Sequence, residues 1–194
     1  RARLDAVVFD IGGTLVAEAP PGTPTTELVV TCLPHVLEDL AALRRVVRLG
    51  AATNTAVMSE ADVRGLLAAC GLSDLLEVLV TSRDVGAAKP DPTVLRVVLD
   101  RLGVEPGRAL FIGDQPTDAQ AAAAIGMPYA EVVADGIAAT IDGWMLERAD
   151  EERWPRPVPR IGDTTSAAER AAEPDAGRFA DADRHGLYRA VHER

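Results

Sequence analysis

The sequence contains 194 residues, of which 47% are hydrophobic, enough for one domain with a substantial core. Its formal net charge of −10 argues against a nucleic-acid partner and an anionic membrane surface. No apolar run reaches membrane-spanning length, and Asp10 interrupts the first one too early for a signal peptide. Cys32 and Cys70 lack metal-site spacing, so the sequence predicts buried thiols and a cytoplasmic location.

Strand and helix patterns alternate along the first 141 residues. In chain order, the predicted elements are a strand at 6–10, a helix at 34–44, a strand at 46–52, a helix from Ser59 to Gly71, a strand at 77–81, a helix from Asp91 to Gly103, a strand at 108–112, a helix from Thr117 to Ile125 and a strand at 129–133. This alternation predicts a three-layer α/β/α, Rossmann-like core around a central parallel sheet of about five strands.

The first predicted strand ends in a carboxylate, Asp10, followed by the glycine pair Gly12 and Gly13. Glycine lets the backbone turn sharply, so this segment presents an aspartate at the end of a strand. In parallel sheets, sites form where loops leave the carboxyl ends of the strands. Asp10, Thr53 and Asp114 all occupy such positions, and we expect them to converge at one edge.

Lys89 is the only lysine among the 20 basic residues of the chain. So strong an arginine bias would replace any lysine whose role arginine could fill. An ammonium differs from a guanidinium in being a compact point charge that can approach a phosphate and a carboxylate together. The position of Lys89 in a Gly/Ala/Pro-containing loop before a helix therefore favours a functional role over chance survival on the surface.

A second acidic motif follows the fourth predicted strand, where Asp114 and Asp118 are four residues apart at the start of a helix. Hard carboxylate oxygens suit Mg²⁺, which needs few protein ligands because it keeps several waters. Asp118 is also consistent with a helix-start residue favoured by the helix dipole. Thr53 and Asn54 end the second strand, where a hydroxyl and backbone amides can bind phosphate oxygens.

These four pieces, in this order, resemble the haloacid dehalogenase-like superfamily of hydrolases over about residues 6–135. The resemblance implies that Asp10 attacks phosphorus and forms an aspartyl-phosphate, with Lys89 and Thr53 as the other catalytic residues. It implies Mg²⁺ as cofactor and a phosphorylated substrate. The implied metal ligands are Asp10, the Gly12 carbonyl, Asp114 and Asp118, and the implied phosphate contacts are Thr53, Asn54, Lys89 and Gly13.

The sequence departs from the family in two respects. Gly12 stands where family phosphatases carry an aspartate that protonates the leaving group and then activates water, and such help is worth about 10²–10⁴-fold. Glu18 lies nearby as a substitute, although it also reads as a solvated loop residue. The chain also looks capless, because residues 16–33 form only a short flap, which favours a bulky substrate or closure by another subunit or by the tail.

The sequence predicts a catalytic core at 1–141 and a charged, Pro/Arg-rich tail at 142–194 that is partly extended or disordered. Trp144, Trp154 and Tyr188 suggest that this tail packs on the body or meets a protein partner.

The leading functional hypothesis is an Mg²⁺-dependent phosphatase. One alternative is phosphotransfer from a long-lived aspartyl-phosphate, and another is a catalytically silent binding module. Dehalogenation is less consistent with the Asp114/Asp118 pair and the short flap.

Overall fold

Five strands form a parallel sheet at the centre of the computed structural model, which describes residues 4–20 and 22–153. The strands are β1 (Ala6–Phe9), β2 (Arg48–Thr53), β3 (Val78–Thr81), β4 (Ala109–Gly113) and β5 (Tyr129–Glu131). They lie in the order β3-β2-β1-β4-β5, and every neighbouring pair is parallel. This arrangement confirms the predicted α/β, Rossmann-like fold.

Six helices connect the strands or follow them. They are α1 (Val36–Leu43), α2 (Glu60–Ala68), α3 (Ser82–Val85), α4 (Thr93–Leu102), α5 (Pro116–Ala123) and α6 (Ile137–Arg153), with short 3-10 turns at Thr25–Glu27, Ser73–Leu75 and Pro106–Arg108. The start of α2 is fixed by reciprocal hydrogen bonds between Ser59 and Asp62. The sequence did not predict α3, a single turn, or α6, whose buried apolar residues Ile137, Ile141 and Trp144 are confined to its first half.

The sheet is covered on both faces, which explains why β1 is apolar without interruption. Alternate residues of β1 point to opposite faces. Ala6 and Val8 belong to a core that includes the buried side of α4, and Val7 and Phe9 are equally buried. The chain can therefore present a polar side chain only where β1 ends, at Asp10.

The chain divides into two units, Arg1–Ile141 and a second that begins at Asp142. The described part of the second unit is the continuation of α6, where the Arg148 guanidinium lies 4.8 Å from the centre of the Trp144 ring. None of the helices in the described ranges is long and apolar enough to cross a membrane. Trp154, Tyr188 and the rest of the predicted tail after residue 153 lie outside the described residues, so that part of the tail stays a prediction.

Candidate active site

Asp10 lies at the carboxyl end of the central strand, directly after β1. Its backbone N–H donates a hydrogen bond to the Ile112 carbonyl at 2.9 Å, which extends the pairing with β4 by one residue. The side chain is almost fully buried, with 7% of the residue exposed. Because Phe9 pairs with Ile112, Asp114 comes just beyond the level of Asp10 on the neighbouring strand.

Two glycines allow backbone and carboxylates to approach closely at this edge. A Cβ atom on Gly13, which has a φ of +73°, would lie 2.3 Å from Asp114 Oδ2. A Cβ atom on Gly113 would lie 2.3 Å from Asp118 Oδ2. Both distances are far shorter than van der Waals contact, so a side chain at either position would displace a carboxylate.

Three carboxylates converge here, because Asp10, Asp114 and Asp118 each offer an oxygen within 4.8 Å of the others. Asp114 accepts hydrogen bonds from Thr14 Oγ1 at 3.5 Å and from Gln115 Nε2 at 2.7 Å. Asp118 Oδ2 accepts the backbone N–H of Gln115 at 3.1 Å, which caps α5. The cluster is thus held from β1, from the end of β4 and from the first turn of α5.

Lys89 contributes the positive charge at the centre of the cluster. Its buried Nζ lies 2.6 Å from Asp10 Oδ1 and 2.7 Å from Asp118 Oδ1, and it donates to the Ala52 carbonyl at 3.0 Å. The Phe111 ring centre lies 5.3 Å away. The buried Asp118 Oδ1 has this charged neighbour but no hydrogen-bond donor in suitable geometry. The ammonium therefore bridges two of the three carboxylates.

Burial raises the pKa of Asp10 to about 6, with the Lys89 ammonium acting against this rise and the Asp118 carboxylate adding to it. Burial likewise raises the pKa of Tyr129 to about 12, and nearby carboxylates, Asp118 first among them, add to the rise. The Tyr129 hydroxyl donates to the Gly113 carbonyl at 3.0 Å. Both shifts show that negative charge is crowded at this edge of the sheet.

The donor set fits a small divalent cation. Three carboxylates share a single ammonium, so an excess of negative charge remains in the cluster for a cation to offset. Mg²⁺ takes oxygen ligands and retains several waters, so two or three carboxylates suffice. The carbonyl of Gly12, two residues after Asp10, stays a predicted ligand.

The structure places Thr53 and Asn54 at the same edge but gives Asn54 a different task for its side chain. The Asn54 amide nitrogen donates to the Lys89 carbonyl at 2.9 Å, and its amide oxygen accepts the Lys89 N–H at 2.9 Å. Asn54 thereby fixes the loop that carries Lys89, whose peptide bond to Pro90 is cis. Phosphate binding by Asn54 is then left to its backbone N–H. Thr53, the half-buried last residue of β2, keeps its predicted phosphate-binding role as a prediction.

The flap segment, residues 16–33, leaves and rejoins the core at one place. Val16 and Cys32 form an antiparallel bridge, and the Ala17 N–H donates to the Thr31 carbonyl at 2.9 Å. Beyond this pairing, the side chain of Glu18 lies against Gly12: a Cβ atom built on Gly12 would be 3.4 Å from Glu18 Cγ.

The two cysteines are free and half-buried, whereas the sequence predicts buried thiols. Cys32 ends the flap segment and Cys70 follows α2, so both lie at the margin of the core. The Cys32 thiol donates to the Cys70 carbonyl at 3.8 Å. Burial, together with the adjacent Cys70, raises the pKa of Cys32 to about 12.

Sequence reasoning missed Gln115 and Ser82, and it assigned Asn54 to phosphate binding without predicting its bonds to the loop that carries Lys89. Gln115 binds Asp114, and Asn54 binds the backbone of Lys89. Ser82, at the start of α3, accepts the Thr55 N–H at 2.9 Å and donates to its carbonyl at 3.0 Å. The only available signal was their adjacency to motif residues or strand ends, which does not specify a partner.

Comparison with known families and proteins agrees with this geometry. The family described as haloacid dehalogenase-like hydrolase matches residues 23–132. The phosphoglycolate phosphatase of Rhodospirillum rubrum is 44% identical over 96 residues, which cover 49% of this chain and 39% of that protein. The phosphoglycolate phosphatase of Escherichia coli K12 is 38% identical over 96 residues, or 49% and 37% of the two chains. The chain thus spans well under half the length of these curated relatives.

Solved structures share the fold. A phosphatase of the same superfamily from Thermococcus onnurineus superposes with a TM-score of 0.56 at 23% identity, covering 69% of this chain and 88% of that one. An uncharacterized protein from Listeria monocytogenes serotype 4b superposes with a TM-score of 0.58 at 22% identity, covering 66% and 78%. At these identities the likeness establishes the architecture alone.

Proposed function

The chain belongs to the haloacid dehalogenase-like hydrolases, and on that premise we propose that it is an Mg²⁺-dependent phosphatase with Asp10 as its nucleophile. The observation that carries the proposal is the placement of Lys89 Nζ within 2.6 Å of Asp10 and 2.7 Å of Asp118. The sequence separates these residues widely, and the fold assembles them at the edge where parallel sheets form their sites. Relatives that are phosphoglycolate phosphatases support the same reaction class.

Asp10 is suited to attack because its buried carboxylate gives up little hydration when it bonds to phosphorus. Burial has raised its pKa to about 6, so the carboxylate is poorly solvated, and Lys89 orients one of its oxygens. Attack of the other oxygen on phosphorus breaks the bond to the leaving group and yields an aspartyl-phosphate. Hydrolysis of that intermediate by water returns the Asp10 carboxylate and releases phosphate.

The remaining residues position charge rather than react. Asp10, Asp114, Asp118 and the Gly12 carbonyl would hold Mg²⁺, which when bound neutralises charge on the phosphoryl oxygens. Lys89 adds a fixed positive charge 2.6 Å from Asp10 Oδ1. Backbone amides at Gly13 and Asn54 and the Thr53 hydroxyl would bind the phosphoryl oxygens, since transfer depends mainly on positioning and charge neutralisation.

We also propose that the chain is capless, with the flap segment of residues 16–33 in place of a cap domain. Within residues 16–20 and 22–33, the part of the segment that the structure describes, a 3-10 turn at Thr25–Glu27 is the only element apart from the paired ends. A site without a cap accepts bulky phosphate esters, or a second subunit closes it. Both the bulky substrate and the second subunit are inferred from the proposed absence of a cap.

The test is hydrolysis of acetyl phosphate, p-nitrophenyl phosphate and 2-phosphoglycolate, with and without Mg²⁺. We expect Mg²⁺-dependent turnover that falls by at least about 10³-fold in Asp10→Asn. Asp100→Asn, at an exposed aspartate of α4, is the matched control and should retain full activity. Turnover that survives in Asp10→Asn would overturn the assignment of the nucleophile, and no phosphate release from any ester would overturn the phosphatase.

Phosphotransfer is the second candidate, and Gly12 is the observation that favours it. Without a residue to activate water, the aspartyl-phosphate would persist until an acceptor arrives. A hydroxylamine-sensitive phosphoenzyme that decays faster when alcohols are added would establish transfer. Decay that is independent of added alcohols would exclude it.

A further inference from the structure

The space beside Gly12 is occupied by a carboxylate from the flap segment. A Cβ atom built on Gly12 would lie 3.4 Å from Glu18 Cγ and 3.7 Å from Glu18 Oε1, both ordinary contact distances. Glu18 therefore lies on the side from which a side chain at position 12 would extend. That is the position from which an aspartate at residue 12 would act on a leaving group bound at Asp10.

The backbone around Glu18 is fixed on two sides. The Gly13 N–H donates to the Val16 carbonyl at 2.8 Å, and the Ala17 N–H donates to the Thr31 carbonyl at 2.9 Å. Glu18 is the next residue along the chain, so its main chain leaves the core at a defined point. The pairing thus sets where the main chain of Glu18 lies, and from there its side chain reaches Gly12.

The carboxylate of Glu18 is also uncommitted. Among residues 4–20 and 22–153, it has no hydrogen bond and no ion pair, and the residue is exposed. The other acidic groups of the site differ, because Asp10 and Asp118 contact Lys89 and Asp114 accepts two hydrogen bonds. A carboxyl that is exposed and has no partner among the described residues can turn toward a leaving group bound at Asp10.

We propose that Glu18 is the general acid and general base of the reaction, supplied from the flap segment in place of a side chain at Gly12. The proposal rests on the proposed phosphatase. In the first step an Asp10 oxygen bonds to phosphorus, the bond from phosphorus to the leaving oxygen breaks, and the Glu18 proton passes to that oxygen. In the second, the Glu18 carboxylate takes a proton from water, the water oxygen bonds to phosphorus and the bond to Asp10 breaks.

The test compares Glu18→Gln, Gly12→Asp and the double variant with the parent protein. Glu18→Gln should lower turnover of the alkyl ester 2-phosphoglycolate by about 10²–10⁴-fold, the usual worth of a general acid. Phosphorylation by acetyl phosphate, whose leaving group needs no proton, should keep its rate. Because the second step still needs a base, Glu18→Gln should accumulate a hydroxylamine-sensitive phosphoenzyme.

Gly12→Asp in the Glu18→Gln background should restore turnover of 2-phosphoglycolate and remove the accumulated intermediate. A Cβ atom there would already contact Glu18 Cγ at 3.4 Å, so the exposed side chain at position 18 must turn outward to admit the aspartate. Glu27→Gln, at another exposed glutamate of the flap segment, is the matched control and should behave as the parent. A purely structural role for Glu18 would not change the dependence on the leaving group.

The outcomes separate this proposal from the one on which it rests. Unchanged 2-phosphoglycolate turnover without phosphoenzyme in Glu18→Gln overturns the role of Glu18 and leaves the phosphatase standing. If the parent protein is inactive and the Gly12→Asp variant is active, the role of Glu18 is also overturned, because the natural chain would then lack a general acid. If neither protein forms a phosphoenzyme or releases phosphate, the phosphatase fails, and the role of Glu18 fails with it.

Discussion

Replacing Lys89 with methionine tests whether the cluster is held by one buried charge. The substitution keeps most of the apolar stem but removes the ammonium that lies 2.6 Å from Asp10 and 2.7 Å from Asp118. Removing one partner of a buried ion pair leaves an uncompensated charge and costs about 3–5 kcal/mol. We therefore expect Lys89→Met to lower the free energy of unfolding by that amount at pH 7 without Mg²⁺.

The loss should depend on pH in a defined direction. Lys89 acts to lower the pKa of Asp10, so its removal raises that pKa further above the present value of about 6. A carboxyl group whose pKa is raised by folding favours the folded state at low pH, and this contribution disappears as pH rises through the raised pKa. The loss of free energy of unfolding in Lys89→Met should accordingly be largest at pH 7 and above, and it should be smaller at pH 5.

Urea unfolding at pH 7 and pH 5 measures both effects. Arg101→Met is the control, because Arg101 forms an exposed ion pair with Glu60 at 3.3 Å, and such pairs are worth about 0–1 kcal/mol. Lys89→Arg should also be destabilised, since the larger planar guanidinium does not fit the three contacts of the ammonium. A Lys89→Met deficit below about 1 kcal/mol, or one of equal size at both pH values, would refute the reasoning.

Three further outcomes follow from the geometry. Mg²⁺ should raise the melting temperature of the protein and not of Asp114→Asn, as differential scanning fluorimetry can check; an equal rise in both would remove Asp114 from the metal site. Gly113→Ala, whose Cβ would lie 2.3 Å from a buried carboxylate oxygen, should destabilise the protein by about 1–3 kcal/mol and abolish the rise in melting temperature with Mg²⁺. Its control is Gly65→Ala, where α2 has open space and urea unfolding should show a gain of about 0.5–1 kcal/mol. Cys32, with its pKa raised to about 12, should react with a disulfide reagent at pH 8 roughly 10–100-fold more slowly than an ordinary thiol, and faster at higher pH. Cys70→Ala should accelerate this reaction, and a normal rate in the parent protein would contradict the raised pKa.

The sequence was sufficient for the sheet because β1, β3 and β4 are apolar runs with sharp stops, and β2 and β5 repeat the same spacing along the chain. The end of β1 at Asp10 and the end of β4 before Asp114 are both marked by glycines whose absent side chains leave room for carboxylates. Once the strands are parallel, their carboxyl ends must meet, so convergence of these residues with Lys89 follows from topology. Their roles in catalysis stay predictions.

Contacts that depend on loop conformation could not be read from the sequence. Asn54 and Lys89 are 35 residues apart, and nothing in either segment specifies that the amide would bind that backbone on both edges. The position of Glu18 depends on the pairing of Val16 with Cys32, a single bridge without a strand pattern. The helix α6 was missed because its apolar spacing, at Ile137, Ile141 and Trp144, covers only two turns before charged residues take over.

The burial of Lys89 has a consequence for covalent chemistry at amines. It is the only lysine in this sequence, so the side chains of the folded protein offer acylating reagents no exposed primary amine. Modification of Lys89 requires the loop before α4 to separate from Asp10 and Asp118 long enough to admit the reagent. The rate at which an activated ester labels this one position therefore reports how often the site opens, without any substrate or introduced probe.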